Sequence, residues 1–262
     1  MKWRDDLNVL SGARTRKPRS NGRTMLIDRG LGIRAAQDLV DVAGDIVDVI
    51  QLSGATGLFI DKELLRAKIK IYHDKQIDVM PGGSFAGVCI WKGVYSQFLD
   101  QAKDLGLSAV SIYDKPVRMS EAERAAAIDE ALKKGFRVVT EVAMNAGSQG
   151  MTDTLAQMRR QIGWDVEQGA AGVIVALDEQ EGRKLIKGGT PAETVFFEAP
   201  GGVSEIKLSI ALIREFGGNV NIVLKQYQDI LILETLRRGV RNPILEDLYN
   251  GTLRWESTAV EA

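Results

Sequence analysis

Residues 195–216 read VFFEAPGGVSEIKLSIALIREF. They contain a short apolar run that ends near Ala199, a turn with two glycines, and a segment from Ser204 to Phe216 whose apolar residues have helical spacing. A buried strand that leads through a tight turn into a helix is the repeating unit of parallel α/β proteins. We therefore predict one strand–turn–helix unit here and look for others along the chain.

The same alternation occurs eight times from Thr24 onward. The predicted strands are 24–28, 47–51, 78–81, 109–114, 137–143, 172–178, 195–199 and 220–225. The predicted helices are 33–44, 62–75, 95–105, 120–135, 152–168, 179–186, 204–216 and 228–239. Eight such units, each of about 25 to 30 residues, predict an α/β protein with a single (β/α)8 TIM barrel. A doubly wound open sheet is the alternative, but no GxGxxG motif follows the first strand.

Composition limits the function. With 34 Lys and Arg against 35 Asp and Glu, the net charge is −1, which gives no electrostatic basis for binding nucleic acid. No apolar run approaches the roughly 20 residues that a membrane helix needs. The single cysteine, Cys89, excludes an internal disulfide, and we expect it to be a packed thiol. We expect a cytoplasmic protein with a short, basic N-terminal arm (1–23) and a barrel domain (24–262). The cations of such an arm most often face solvent and occasionally contact an anion.

The candidate site lies at the carboxyl ends of the strands, where such barrels bind their substrates. The polar and charged residues at these ends include Asp28, Arg29, Gln51, Asp114, Lys115, Glu141, Asn145, Glu198 and Lys225. Such residues suit an anion site with a divalent metal, although some could simply pair with one another or lie in solvated loops. Glu141 and Glu198 are the candidate ligands of Mg²⁺, which prefers hard oxygen ligands.

Two glycine pairs at the strand ends are candidate anion sites. Gly82 and Gly83, followed by Ser84, come after the third strand, where their amides could form an anion nest. Gly201 and Gly202 come after the seventh strand and lead into a helix N-terminus, which favours phosphate. We predict that phosphate binds at the second pair.

These residues, in this order, resemble the phosphosulfolactate synthase family. The matching segments are TMLIDRGLG (24–32), AGD (43–45), MPGGSF (80–85), TEV (140–142), FEAP (197–200), NVN (219–221) and LETLRRG (233–239). The resemblance implies a (β/α)8 barrel that adds sulfite to phosphoenolpyruvate with Mg²⁺. That carbon–sulfur lyase reaction forms (2R)-phospho-3-sulfolactate, a sulfonate on the way to coenzyme M or sulfolactate.

Several positions depart from the family pattern. Gln51 stands where the family has Lys, Met144 and Asn145 stand where it has paired lysines, and Asp178 stands where it has Arg. Because a lost proton donor typically lowers a rate about 10²- to 10⁴-fold, we predict weak or absent sulfite addition.

We therefore expect a divergent lyase that acts on phosphoenolpyruvate or a similar phosphorylated carboxylate, with sulfite or another nucleophile. Lys115, Arg29 and Asp114 are the candidate catalytic residues. Gly82, Gly83, Ser84, Gly201, Gly202, Gln51, Asn145 and Lys225 are the candidate substrate ligands. The alternative is a catalytically silent relative that binds a ligand or a protein partner, and a homo-oligomer is open in either case.

Overall fold

A computed structural model describes residues 14–113, 118–143 and 151–239. The eight strands are β1 (Thr24–Asp28), β2 (Val49–Leu52), β3 (Asp78–Pro81), β4 (Ala109–Tyr113), β5 (Arg137–Val142), β6 (Gly172–Ala176), β7 (Val195–Glu198) and β8 (Asn221–Leu224). The α-helices of the described residues are α1 (Ile33–Ala43), α2 (Lys62–His73), α3 (Gly83–Trp91), α4 (Tyr95–Asp104), α5 (Glu121–Lys133), α6 (Met151–Glu167), α7 (Glu179–Lys187), α8 (Glu205–Phe216) and α9 (Ile230–Arg237). No helix within these described ranges combines the length and the hydropathy needed to cross a membrane.

The strands form one parallel sheet in the order β3-β2-β1-β8-β7-β6-β5-β4. Its two edges, β3 and β4, meet at Ser108. The Ser108 amide donates to the Val79 carbonyl at 3.2 Å, and the Ser108 hydroxyl accepts from the Val79 amide at 3.1 Å and donates to Asp78 at 3.0 Å. These bonds bring the two edges together, so the sheet is a nearly closed barrel. The predicted single (β/α)8 barrel is confirmed and the open sheet is excluded.

The barrel interior contains an apolar plug with one side chain from each strand. Its residues are Met25, Val49, Met80, Ala109, Val139, Ile174, Phe196 and Val223. The opposite faces of the strands pack against the helices in a second, larger core. Both faces of the sheet are therefore buried, which explains why the strand sequences are continuous apolar runs. Cys89 is buried in the outer core, as predicted.

Helix α3 is absent from the predicted elements. Its sequence, GSFAGVCIW, is apolar on every side, so it has no helical alternation of polar and apolar residues. It also follows Pro81 and Gly82, which resemble a turn.

The predicted sixth strand, 172–178, extends past the observed end of β6 at Ala176. Asp178 does not belong to the strand, because it caps α7. Its side chain accepts from the Glu181 amide, and the Glu181 side chain accepts from the Asp178 amide.

The N-terminal arm lies against the amino-terminal end of the barrel over the residues that the structure describes. Arg14 and Arg19 are buried, and both pair with Asp48, at 3.3 and 2.8 Å. Arg237, at the end of α9, is also buried there and donates to the carbonyls of Arg23 and Val220 at 3.0 and 2.8 Å. The expectation that the arm's cations face solvent is therefore wrong for Arg14 and Arg19.

Candidate active site

A polar layer covers the apolar plug at the carboxyl ends of the strands. Side chains alternate across a strand, so the residue two positions beyond each plug residue faces the same interior. These residues are Ile27, Gln51, Gly82, Ser111, Glu141, Ala176, Glu198 and Lys225. We call this layer the mouth. Five of these eight residues are polar or charged, directly above an entirely apolar plug, so the mouth is the candidate binding site.

Glu141 on β5 is the most highly coordinated side chain of the mouth. Its Oε1 accepts from Gln51 Nε2 at 2.9 Å, from Ser111 Oγ at 2.8 Å and from the Gly83 amide at 3.2 Å. Among the described residues, none donates a hydrogen bond to its Oε2. The carboxylate is thus fixed by one oxygen and can offer the other to a ligand.

The protonation of Glu141 is shifted by its surroundings. Burial raises the pKa of this carboxyl, and the negative charge of Glu198 raises it further. The hydrogen bonds from Ser111, Gly83 and Gln51 act in the opposite direction but do not cancel the effect of burial. A carboxyl that is costly to ionise favours either a proton or a bound cation.

Glu198 and Lys225 form an ion pair on the other side of the mouth. Glu198 Oε1 lies 2.9 Å from Lys225 Nζ, and the two side chains keep 22% and 19% of their surface exposed. Lys225 Nζ also donates to the Ala199 carbonyl at 2.5 Å. Both predicted residues therefore lie in the mouth and remain accessible to a ligand.

The oxygen donors of the mouth fit Mg²⁺ in part. Among the described residues, no group of three or more Asp, Glu, His or Cys side chains could hold a metal ion. The two carboxylates, Glu141 and Glu198, interact electrostatically, since the charge of Glu198 raises the pKa of Glu141. Mg²⁺ is commonly bound by one or two carboxylates together with water and substrate phosphate, so this pair is compatible with it.

The glycine pair after β3 already contacts a carboxylate of the protein. Gly82 precedes α3 and Gly83 begins it, and the Gly83 amide donates to Glu141. A Cβ at Gly83 would lie 2.8 Å from Glu141 Oε1, Ser111 Oγ and Tyr113 Cβ. Close packing explains this glycine, and the amide that we predicted to bind a substrate anion binds Glu141. Ser84, the next residue, is half-buried at the same helix N-terminus.

The glycine pair after β7 is open. A Cβ at Gly201 or Gly202 would meet nothing within 4 Å, and Gly202 has a φ of +83°. The helix that follows is partly capped, because the Ser204 hydroxyl accepts from the Lys207 amide at 3.3 Å. The Glu205 carboxylate also lies in the first turn and accepts from the Lys225 amide at 2.8 Å. Accessible backbone therefore supports an anion site here, whereas the acidic first turn weakens it.

Of the predicted catalytic residues, the structure describes only Arg29. It is exposed in the loop between β1 and α1. Asp114, Lys115 and Asn145 lie outside the described residues. Asp28 belongs to a different cluster: it is buried, lies 2.5 Å from Lys68 Nζ, and accepts from the Tyr72 hydroxyl at 3.0 Å. Asp28 therefore faces away from the mouth, because Ile27, its neighbour, faces into it.

Ser111 is the one polar residue of the mouth that is absent from the candidates predicted from the sequence. The signal was present, since Ser111 lies two residues after Ala109 on a strand that was predicted correctly up to its end. Selecting it required knowing which residue of the strand faces inward. The structure supplies that register: Ser111 lies opposite Val139, and Tyr113 lies opposite Glu141.

Comparison with known proteins agrees with this architecture. The model of the family described as (2R)-phospho-3-sulfolactate synthase (ComA) matches residues 12–243. The phosphosulfolactate synthase of Methanocaldococcus jannaschii is 31% identical over 235 residues, which cover 84% of this chain and 92% of that protein. Those of Methanothermobacter thermautotrophicus and Bacillus subtilis are each 25% identical, over 91% of this chain and 96% and 98% of theirs.

Solved structures show the same fold at lower identity. The carboxyl transferase domain of Rhizobium etli pyruvate carboxylase with oxamate and biotin superposes with a TM-score of 0.56 at 12% identity. The superposition covers 88% of this chain and 46% of the other. The same domain with pyruvate gives a TM-score of 0.57. This chain therefore spans about half the length of those structures, and the likeness establishes the barrel fold alone.

Proposed function

This chain belongs to the (2R)-phospho-3-sulfolactate synthase family, and we propose that it is a Mg²⁺-assisted lyase acting on phosphoenolpyruvate or a similar phosphorylated carboxylate. The nucleophile is sulfite or another nucleophile that replaces it. One observation carries the proposal: Glu141, Glu198 and Lys225 converge in a polar mouth above a closed apolar plug. The family adds sulfite to phosphoenolpyruvate, and this mouth has the donors that such a substrate requires.

With sulfite, the sulfur lone pair forms a bond to C3 of the enolpyruvate, and the C2–C3 π electrons move toward the carboxylate. A proton then adds to C2, which gives the phosphosulfolactate. Mg²⁺, when bound, would offset the negative charge that develops on the carboxylate. Glu141 and Glu198 would hold the cation, and Lys225 would bind an anionic group of the substrate.

Two features of the mouth predict slow sulfite addition. Gln51 is buried and donates to Glu141, so a neutral amide occupies a position where the resemblance implies a lysine. The described residues of the mouth also include two carboxylates, Glu141 and Glu198, but a single lysine, Lys225. This excess of negative charge disfavours the binding of a doubly negative nucleophile. A different or less charged nucleophile would suit the mouth better.

Incubation with phosphoenolpyruvate, Mg²⁺ and a panel of nucleophiles, followed by ³¹P NMR and mass spectrometry, tests the proposal. We expect Mg²⁺-dependent consumption of phosphoenolpyruvate, slower with sulfite than that catalysed by the Methanocaldococcus jannaschii relative in parallel. Glu198→Gln should abolish it, whereas Glu193→Gln, an exposed residue just before β7, should not.

No consumption with any nucleophile would contradict the proposal and favour a catalytically silent relative. Sulfite turnover equal to that of the relative would contradict the expected slow sulfite addition.

A further inference from the structure

An apolar cavity lies behind the mouth, on the outer side of the barrel between β2, β3 and the helices α2, α3 and α4. Its volume is about 400 Å³, and Leu52 on β2 and Pro81 on β3 line it. Each of them is next to a mouth residue, Gln51 or Gly82, and side chains alternate across a strand, so Leu52 and Pro81 face away from the mouth. A ligand in this cavity would lie outside the barrel interior, so binding there is independent of the proposed function.

The inner walls of the cavity are apolar. Phe85 and Phe98 line it with their rings in an edge-to-face contact, at 5.3 Å between the ring centroids. The buried side chains of Leu65 and Cys89 also line it. Protein interiors have few voids larger than a water molecule, so an apolar space of this volume is not an ordinary packing gap. Mostly apolar cavities of about 300–1,000 Å³ with few polar groups are typical of small-molecule sites.

The rim of the cavity is also apolar, although it faces solvent. Leu58 is 61% exposed, and Val88 and Val94 are each 39% exposed. All three line the cavity, and they come from the 3-10 helix Thr56–Phe59, from α3 and from the turn before α4. A single exposed apolar side chain is normal, but several around one cavity are typical of a surface that binds an apolar partner.

One positive charge borders this apolar surface. Of the described residues that line the cavity, only Lys92 is charged, whereas Gln97 and Gln101 are neutral amides. Lys92 Nζ lies 4.4 Å from the centroid of the Trp91 ring, and no carboxylate of the described residues forms a salt bridge with it. A ligand with one negative charge would therefore pair with this ammonium, while its carbon chain contacts the apolar walls.

We propose that this cavity binds a free amphipathic acid, whose apolar chain fills the cavity and whose single carboxylate pairs with Lys92. The volume limits the length of the chain. An apolar cavity of about 150 Å³ holds benzene, so one of 400 Å³ holds an apolar body of roughly ten carbon atoms. The charge limits the head group, because a second negative charge would have no partner among the described lining residues.

Titration calorimetry of the full chain with acetate, octanoate and decanoate tests the proposal. We expect decanoate to bind and acetate to give no detectable binding, because acetate has the charge without the chain. Each additional buried CH₂ strengthens binding about fourfold, so decanoate should bind more tightly than octanoate. The absence of decanoate binding, or equal affinities for octanoate and decanoate, would overturn the proposal.

Variants at the rim show where the acid binds. Lys92→Gln should weaken decanoate binding severalfold, and Val88→Glu, which adds a like charge at the rim, should abolish it. Lys207→Gln and Val166→Glu are the matched controls, because both residues are exposed but do not line the cavity. Both control variants should bind decanoate as the parent does. Equal effects in the rim variants and the controls would place the acid elsewhere.

Cys89 gives a second readout without a variant. It is the single cysteine of the chain and lines the cavity, so its alkylation by iodoacetamide reports on this site alone. Decanoate should slow that alkylation severalfold, and acetate should not. An alkylation rate that falls as the protein concentration rises, and that decanoate does not change, would assign this surface to an interface between copies of the chain and overturn the proposal.

Discussion

At the scale of the residue, the site depends on how Glu141 is held. Three donors bind one of its oxygens, and they come from three different elements: β2, β4 and the start of α3. The sequence predicts Glu141 as a ligand because a carboxylate ends a buried strand. It does not predict the donors, since their convergence depends on the register between strands. The prediction that Glu141 ligates Mg²⁺ stays a prediction.

Glu141→Gln should change how stability depends on pH. Burial raises the pKa of Glu141 above its ordinary 4.5, so ionisation costs the folded protein free energy. In the parent, the raised pKa of the Glu141 carboxyl therefore stabilises the folded state fully below pH 4.5. This stabilisation is lost as the pH rises through the raised pKa of the folded protein. The glutamine keeps an acceptor for the same three donors and never ionises. Urea unfolding without Mg²⁺ should therefore show the variant gaining stability relative to the parent between acidic pH and pH 8. A difference that is constant with pH would contradict this.

Asp28→Asn should destabilise the protein strongly. The Asp28 and Lys68 side chains keep 0% and 2% of their surface exposed, so the variant leaves a buried ammonium without its counter-ion. Breaking such a pair typically costs about 3–5 kcal/mol. Lys133→Met is the control, because it breaks the exposed Asp129–Lys133 pair and should leave stability nearly unchanged. Equal losses in urea unfolding would show that Asp28 is not a structural residue.

At the scale of the element, two similar glycine loops have different roles. The sequence predicts both loops after strand ends and predicts anion binding at each. It cannot show that the loop after β3 packs against Glu141, because that contact joins residues that are far apart in the chain. The loop after β7 has open space around its glycines, and phosphate binding there stays a prediction.

Gly201→Val should weaken phosphate binding and leave stability nearly unchanged. The added side chain starts in open space, and Gly201, unlike Gly202, does not require a positive φ. It would, however, keep a ligand away from the backbone. Gly163→Ala, an exposed position on α6 with equally open space, is the control. Titration calorimetry with inorganic phosphate measures the effect. An unchanged affinity for phosphate in the Gly201 variant would show that phosphate does not bind at this loop.

At the scale of the whole molecule, the fold was predictable and the ends of the barrel were less so. Apolar runs and helical spacing identify all eight strands, because both faces of a parallel barrel are buried. The amino-terminal end was not predicted, since a basic segment such as 14–23 resembles a solvated one. In the structure the side chains of Arg14 and Arg19 are buried against Asp48, which the closed barrel brings within reach.

The most direct test of the proposed mouth is thermal unfolding with and without Mg²⁺, in the parent and in Glu141→Gln, Glu198→Gln and Glu193→Gln. A ligand at about 100 times its Kd stabilises a folded protein by about 2.7 kcal/mol, which corresponds to a rise of several degrees in Tm for a chain of this size. We predict that rise in the parent and in Glu193→Gln, and its loss in Glu141→Gln and Glu198→Gln. Equal rises in all four proteins would place the cation elsewhere and contradict the proposed site.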